Sequence, residues 1–244
     1  MAALAGSGDM SNGDISMEDL MTVGPGDENE PGALYRNMLQ EVIGMCVRGV
    51  LWYQGESDEH HADLYDLLFS EMIQCWRNSW KEKNTDMTEL PFLFVQLAPY
   101  GTWNGSTGVN YPTLREHQEI VARSVPDVWM TSISDIGNVY DIHPKYKKPV
   151  GERLEGLAEK YVYHWDEDAL VEAPEAADME KIIVDGSKLV DNDAIISIEK
   201  DTMVIASGRI HEDSKVKIYF AKTPFYQVNL YNKAEIPVKP FALL

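Results

Sequence analysis

At 244 residues with 44% hydrophobic content, the chain is long enough to bury a full core, as one large domain or as a domain with a small appendage. Its formal net charge of −19 argues against nucleic acid or an anionic membrane surface as partner, because either demands a basic face. No apolar run is long enough to span a bilayer, and the start Met-Ala-Ala-Leu-Ala-Gly-Ser-Gly lacks the basic region of a signal peptide. The expected location is therefore cytoplasmic, with secretion or a periplasmic location open only if the N-terminus is truncated. Cys46 and Cys75 lie beside apolar positions, without a CxxC or Cys/His cluster, and read as buried free thiols rather than metal ligands. No cofactor is expected.

In chain order, residues 1–32 are rich in Gly, Ser, Asp, Asn and Glu and read as mostly irregular, with a short helix over 15–23 capped by Ser16. Over 33–45, Leu34, Met38, Val42 and Met45 recur at helical spacing and predict an amphipathic helix. Residues 47–53 follow as an apolar run predicting a strand buried on both faces. It ends in Gln54-Gly55-Glu56, at the carboxyl edge where open α/β sheets place their ligands. The alternative for that turn is an ordinary polar loop.

Residues 61–80 carry Leu64, Leu67, Leu68, Met72, Ile73, Trp76 and Trp80 on one stripe, predicting a long helix on the sheet. His60 and His61 open it and, without a third ligand, read as an exposed start rather than a metal site. Residues 91–97 form a second buried strand, with Gln96 near its end, completing a βαβ unit and hence a parallel sheet. The loop over 98–112 carries Tyr100, Trp103 and Tyr111, which either stack on a sugar face or plug the loop onto the core. Thr113 and Glu116 predict a capping box for a helix over 113–124, and 128–134 a third strand.

Asp141 and His143 lie two residues apart in an extended segment and share a side, so the carboxylate is able to orient the imidazole as a general base. The competing reading is that Asp141 caps the loop and His143 fills it. A helix is predicted from about 150 to 164. From 179 onward, runs at 181–184, 194–199, 203–206, 216–220 and 227–230, separated by turn residues, predict a small antiparallel β region, an accessory module or a lid.

Three ordered stretches carry a resemblance: Gly-Val-Leu-Trp-Tyr-Gln-Gly-Glu-Ser-Asp, Asp-Ile-Gly-Asn-Val-Tyr-Asp-Ile-His-Pro-Lys-Tyr-Lys-Lys-Pro-Val-Gly-Glu-Arg-Leu, and Val-Asn-Leu-Tyr-Asn-Lys-Ala-Glu-Ile-Pro-Val-Lys-Pro-Phe. From about residue 33 to 241 the chain resembles the sialate O-acetylesterases, which are serine esterases of the SGNH type. The resemblance implies a flavodoxin-like three-layer α/β/α fold over 33–165, with the β-rich region over 166–244. It implies removal of acetyl groups from O-acetylated sialic acids or related acetylated sugars by a Ser, His and acidic-residue mechanism. His143 matches the family's base and Asp141 its acid, although many SGNH relatives place that acid three residues before the His. Gln54 falls where the family presents a donor near the oxyanion, Gly55 where its backbone approaches closely, and Glu56 as a brace of that turn. A sialate carboxylate needs a local cation; Arg115 is the candidate anchor, with Lys145, Lys147, Lys148 and Arg153 nearby and Tyr100 and Trp103 as candidate sugar contacts.

The family's nucleophile sits early, in a Gly-Gln-Ser-Asn-Met turn after the first strand. Here the nearest stretch, Ala5-Gly-Ser-Gly-Asp-Met10, puts Gly8 in the serine's place, with Ser7 one residue off. The nucleophile is therefore unknown, and the chain reads as the C-terminal two thirds of an esterase. Without the nucleophile's strand, residues 47–53 become a sheet edge, to be covered by a complementary N-terminal fragment or a second copy. The competing function is a catalytically silent carbohydrate-binding or subunit-like protein.

Overall fold

A computed structural model describes residues 30–84, 89–172, 195–199, 202–206, 218–228 and 230–243; the helix expected over 15–23 and the strand over 181–184 lie outside them. At its centre is a parallel sheet of β1 (Val50–Trp52), β2 (Phe92–Gln96) and β3 (Val128–Ser132), in the order β1-β2-β3. Register runs Val50 to Phe92 to Val128, so all three strands end at the same edge of the sheet. Every residue of β2 is buried. Side chains alternate along a strand, and here the alternation separates two cores. Phe92 and Phe94 join Met72, Ile73, Leu114 and Val121 of helices α2 (Tyr65–Lys83) and α3 (Tyr111–Ser124). Leu93 and Val95 join Val150, Leu154 and Leu157 of helix α4 (Lys148–Tyr161) on the other face. The result is the expected three-layer α/β/α arrangement.

Phe69 organises the larger core. Its ring stacks on Trp52 at 5.6 Å and meets Phe94 edge-on at 5.3 Å, joining α2 to β1 and β2. At the opposite end of the sheet, Arg77 of α2 donates to the carbonyls of Leu90, Pro126 and Asp127, holding together the starts of β2 and β3.

Several expectations need correction. The helix expected over 33–45 is only Ala33–Asn37 (α1) and a 3-10 turn at Leu39–Glu41, broken at Met38. Leu34, Met38, Val42 and Met45 are exposed, whereas Leu39 and Ile43 pack on the core, so the inward residues are not the predicted stripe. The strand expected to be buried on both faces is three residues long, and Leu51 is 62% exposed, because β1 has a partner on one side only among the described residues. Cys46 is exposed and Cys75 half-buried, not buried thiols.

Helix α2 begins at Tyr65, after a 3-10 segment at Glu56–Leu64 that breaks at His61, and its buried face is Tyr65, Phe69, Met72, Ile73 and Trp80. Leu64 and Leu67 face outward. The capping box at Thr113 does not form: Pro112 sits in the first turn, where its missing N–H costs nothing, and the helix starts at Tyr111.

Beyond α4, β4 (Ile195–Glu199) and β5 (Thr202–Ala206) form an antiparallel pair, as do β6 (Ile218–Phe220) and β7 (Phe241–Leu243). The strand expected over 227–230 is absent among its described residues, while β7 was not expected. Between β6 and β7 the chain is fastened to the α/β body. Arg115 donates to the carbonyls of Thr223 and Pro224, Arg153 to that of Glu235, and the Ser134 hydroxyl to that of Val238. Ile236, Val238 and Phe241 are buried. Among the described residues, no helix is long and apolar enough to cross a membrane.

Phe69→Ala should lower the unfolding free energy by about 3–5 kcal/mol, the usual cost of removing a buried aromatic ring. Urea titration followed by tryptophan fluorescence measures this, since Trp52 stacks on the Phe69 ring and Trp76 stands edge-on to Trp52. A loss under about 1 kcal/mol would show that the core closes over the gap without this ring.

Candidate functional site

The common edge at which the strands end gathers three segments. The first is the Gln54-Gly55-Glu56 turn after β1. Gly55 has φ +137, and a Cβ there would press on Leu97, Tyr65 and Leu114 at 3.1–3.4 Å, so the turn admits glycine for both conformation and space. Gln54 is held from two sides: its Nε2 donates to Asp58 Oδ2 at 2.5 Å, and its carbonyl accepts from the Tyr65 hydroxyl at 3.1 Å. An amide nitrogen carries two hydrogens, so one N–H of Gln54 remains beyond the bond to Asp58. Glu56 and Asp58 are both held above the ordinary carboxylate range, chiefly by burial; Lys147 and His143 pull Glu56 back toward ionisation.

The second and third segments lock onto one another. Gly137 packs directly on the Pro99 carbonyl, where a Cβ would lie 2.0 Å from the oxygen. The N–H groups of Gly101 and Thr102 both donate to the Val139 carbonyl, and Tyr100 bridges to Asn138 in parallel fashion. Consequently Trp103 and His143 meet edge-to-face, with ring centroids 5.2 Å apart. Asp141 Oδ1 accepts the backbone N–H of His143 at 2.9 Å and lies 3.3 Å from its Nδ1. The first of these contacts holds the Asp141 carboxyl below its usual range, so it stays ionised beside the imidazole. His143 is 69% exposed at its side chain, which leaves Nε2 open for proton transfer. The Lys147 ammonium sits 4.2 Å from the centroid of the Tyr53 ring, bringing a cation to the end of β1. Behind these groups Arg153 clamps Asp135 with two 2.7 Å bonds, fixing the start of the segment that carries His143.

The eight sequence-selected residues meet different fates. Gln54, Gly55, Glu56, Trp103, Asp141 and His143 converge at this edge. Arg115 does not. It is 1% exposed, donates to the carbonyls of Leu97, Ala98, Thr223 and Pro224, and lies between the Tyr111 and Tyr226 rings, so it is a structural tie and not a solvent-facing anchor for a carboxylate. Tyr100 is likewise buried, edge-on to Tyr111 at 4.4 Å, and offers no face to a sugar. Of the two readings of the aromatic loop, Tyr100 and Tyr111 take the plug and Trp103 is half-buried beside the imidazole. Glu59, buried and bonded to this loop, carried no sequence signal, because its role depends on a contact 41 residues away.

Among the described residues, no three His, Cys, Asp or Glu side chains cluster in a way that would hold a metal ion. A cleft lined by Trp129, Met130, Glu172 and Lys239 lies beside the first half of β3, at the other end from His143.

The raised Glu56 gives a test. A carboxyl whose folded-state pKa is raised leaves stability intact below its unfolded value and costs stability as pH rises through the folded value. Urea midpoints measured from about pH 4 to 8, the span around and above the ordinary carboxylate range, should therefore decline less in Glu56→Gln than in the parent. Parallel curves would show that the buried site does not penalise this charge.

A profile of the family described as carbohydrate esterase, sialic acid-specific acetylesterase matches residues 17–148. The sialate O-acetylesterase of Mus musculus is 32% identical over 133 residues, 50% of this chain and 24% of that protein. That of Homo sapiens is 30% identical over the same length, covering 50% and 25%. A solved structure, a carbohydrate acetylesterase from Xanthomonas citri, superposes with a TM-score of 0.66 at 28% identity, covering 86% of this chain and 53% of that one. The matched region thus spans about a quarter of the length of the curated relatives. Together with an α/β fold of the SGNH kind, the profile match makes this chain a member of the sialic acid-specific acetylesterase family of carbohydrate esterases.

Proposed function

We propose that this chain carries the general-base side of an esterase that removes O-acetyl groups from sialic acids or related acetylated sugars. The observation that supports it best is the pairing of Asp141 with Nδ1 of the exposed His143, against Trp103 and opposite the Gln54-Gly55-Glu56 turn. In this reading Nε2 of His143 takes the proton of a serine hydroxyl as the oxygen attacks the acetyl carbonyl. Asp141 holds the imidazole and stabilises its cation. The free N–H of Gln54 faces the developing oxyanion. His143 returns the proton to the departing sugar oxygen, leaving an acetyl-serine; water, deprotonated by the same imidazole, then releases acetate and the free serine. With Arg115 committed to the interior, Lys147 becomes the cation for a sialate carboxylate.

Among the described residues, no serine hydroxyl is hydrogen-bonded to His143. We propose that the nucleophile is supplied by a complementary segment that adds a strand beside β1, whose exposed Leu51 marks the open edge. The same observation favours a second reading, in which the chain binds an acetylated sugar without hydrolysing it.

A serine-reactive phosphonate together with an acetyl-ester turnover assay, run on the chain co-expressed with a fragment bearing a strand and a Gly-Gln-Ser-Asn-Met turn, separates the two. The esterase reading expects labelling and turnover, with turnover lost at least a hundredfold in a folded His143→Ala protein, on the order of what general base catalysis contributes. Binding of an acetylated sialic acid with neither labelling nor turnover would establish the silent reading. For the edge, co-expression with a fragment bearing a strand and a Gly-Gln-Ser-Asn-Met turn should raise solubility and activity together. A chain that is monomeric, cooperatively folded and active alone would remove the need for that partner.

A further inference from the structure

One buried carboxylate has no part in the steps above. Glu59, in the 3-10 segment after β1, is 4% exposed. Its Oε2 accepts from the Tyr100 and Ser106 hydroxyls, both at 2.6 Å, and its Oε1 from the Asn110 N–H at 3.4 Å. The two hydroxyl oxygens also lie 2.6 Å apart. Burying a carboxylate is costly unless its oxygens find donors, and here all three donors come from one loop. The 98–110 loop is thus tied to the turn after β1 at three points.

Trp103 lies between two of these points. It forms a tight turn with Ser106, each donating its N–H to the other's carbonyl at 3.0 and 2.8 Å. Asn104 and Gly105 both take positive φ, 45° and 87°, as that turn type requires. A turn closed this tightly moves as a unit, so the tether at Ser106 also sets the position of Trp103. The Trp103 ring, in turn, is the edge-to-face neighbour of the exposed His143 imidazole.

We propose that Glu59 is a positioning residue: by clamping Tyr100 and Ser106 it holds the Trp103–Ser106 turn, and through Trp103 it sets the orientation of His143. This rests on the reading of His143 as the base, yet its structural content stands apart from turnover. The clamp acts on a wall of the site without touching the reacting atoms, and its loss should free the imidazole rather than unfold the chain.

The test follows the His143 ring protons by NMR in the full chain, assigned against a His143→Ala spectrum because the sequence contains six histidines. In the parent these resonances should carry a ring-current shift that Trp103→Ala abolishes. Ser106→Ala and Glu59→Gln should each move them most of the way to the Trp103→Ala positions, at unchanged far-ultraviolet circular dichroism. Ser106→Thr, which keeps a hydroxyl, should restore them. The double variant Ser106→Ala/Trp103→Ala should be no further displaced than Trp103→Ala alone, as coupled residues require. Where turnover is measurable, the same variants should lower kcat about tenfold while KM changes less, the signature of a disturbed base rather than lost binding. Should Glu59→Gln fail to fold, Ser106→Ala, which removes one hydroxyl, decides the matter. Unmoved His143 resonances in folded Ser106→Ala would overturn the clamp, whatever the fate of the esterase reading; shifted resonances, with no turnover even after co-expression with the nucleophile-bearing fragment, would uphold the clamp and count against the esterase.

Discussion

Burial of β2 on both faces is the constraint from which the rest of the structure follows. Its five residues alternate between two cores, and neither face tolerates water once α2 and α3 close on one side and α4 on the other. A strand in that position must be hydrogen-bonded along its edges, and parallel neighbours satisfy it. Parallel pairing then puts every strand end, and each loop that follows, on one side. Gln54, Trp103 and His143 come from stretches far apart in sequence, yet they share a neighbourhood because they all follow strands of one sheet.

The chemistry of that neighbourhood comes from carboxyl groups pushed in opposite directions. Burial raises Glu56 and Asp58, while an N–H contact lowers Asp141 at the protein surface. Contrasting environments of this kind separate the roles of like groups. Asp141 is the ionised partner suited to an imidazolium. Glu56 sits behind, its burial only partly offset by Lys147 and His143, and Asp58 is spent on holding Gln54. Glu59 shows a further solution: three neutral donors from one loop compensate its burial and fasten that loop in return.

Polar ties of this sort also decide where the C-terminal segment lies. Arg115 and Arg153 reach backbone carbonyls of residues 223–235, and the latter also pairs with Asp135. Both cations are taken up by internal partners. An arginine's rigid fork suits it to bind several carbonyls at once, and the expected substrate anchor proved to be an internal rivet between the α/β body and the chain beyond β6.

Legibility in the sequence followed the range of the interactions involved. The apolar runs at 92–95 and 128–130 are local patterns, and they determined the parallel sheet and the α/β class; the spacing of Asp141 and His143 is equally local, and the structure puts their side chains 3.3 Å apart with Asp141 also accepting the His143 N–H. The resemblance carried by the Gln-Gly-Glu and Asp-Ile-His-Pro stretches identified the family, which the profile match bears out. What the sequence left undecided depends on distant partners. Periodicity cannot say which of two apolar stripes around Met38 turns inward, since that depends on where the core lies; Leu39 and Ile43 won because they reach it. Leu51 reads as core by composition and is exposed because no neighbour stands beside β1 among the described residues. Arg115, Tyr100 and Glu59 are polar residues whose meaning lies wholly in what surrounds them. Only the tertiary structure, by closing the 98–110 loop over the turn after β1 and the chain beyond β6 over Arg115, turned the first two into internal supports and revealed the third, because burial and hydrogen bonding are properties of neighbours in space rather than in sequence.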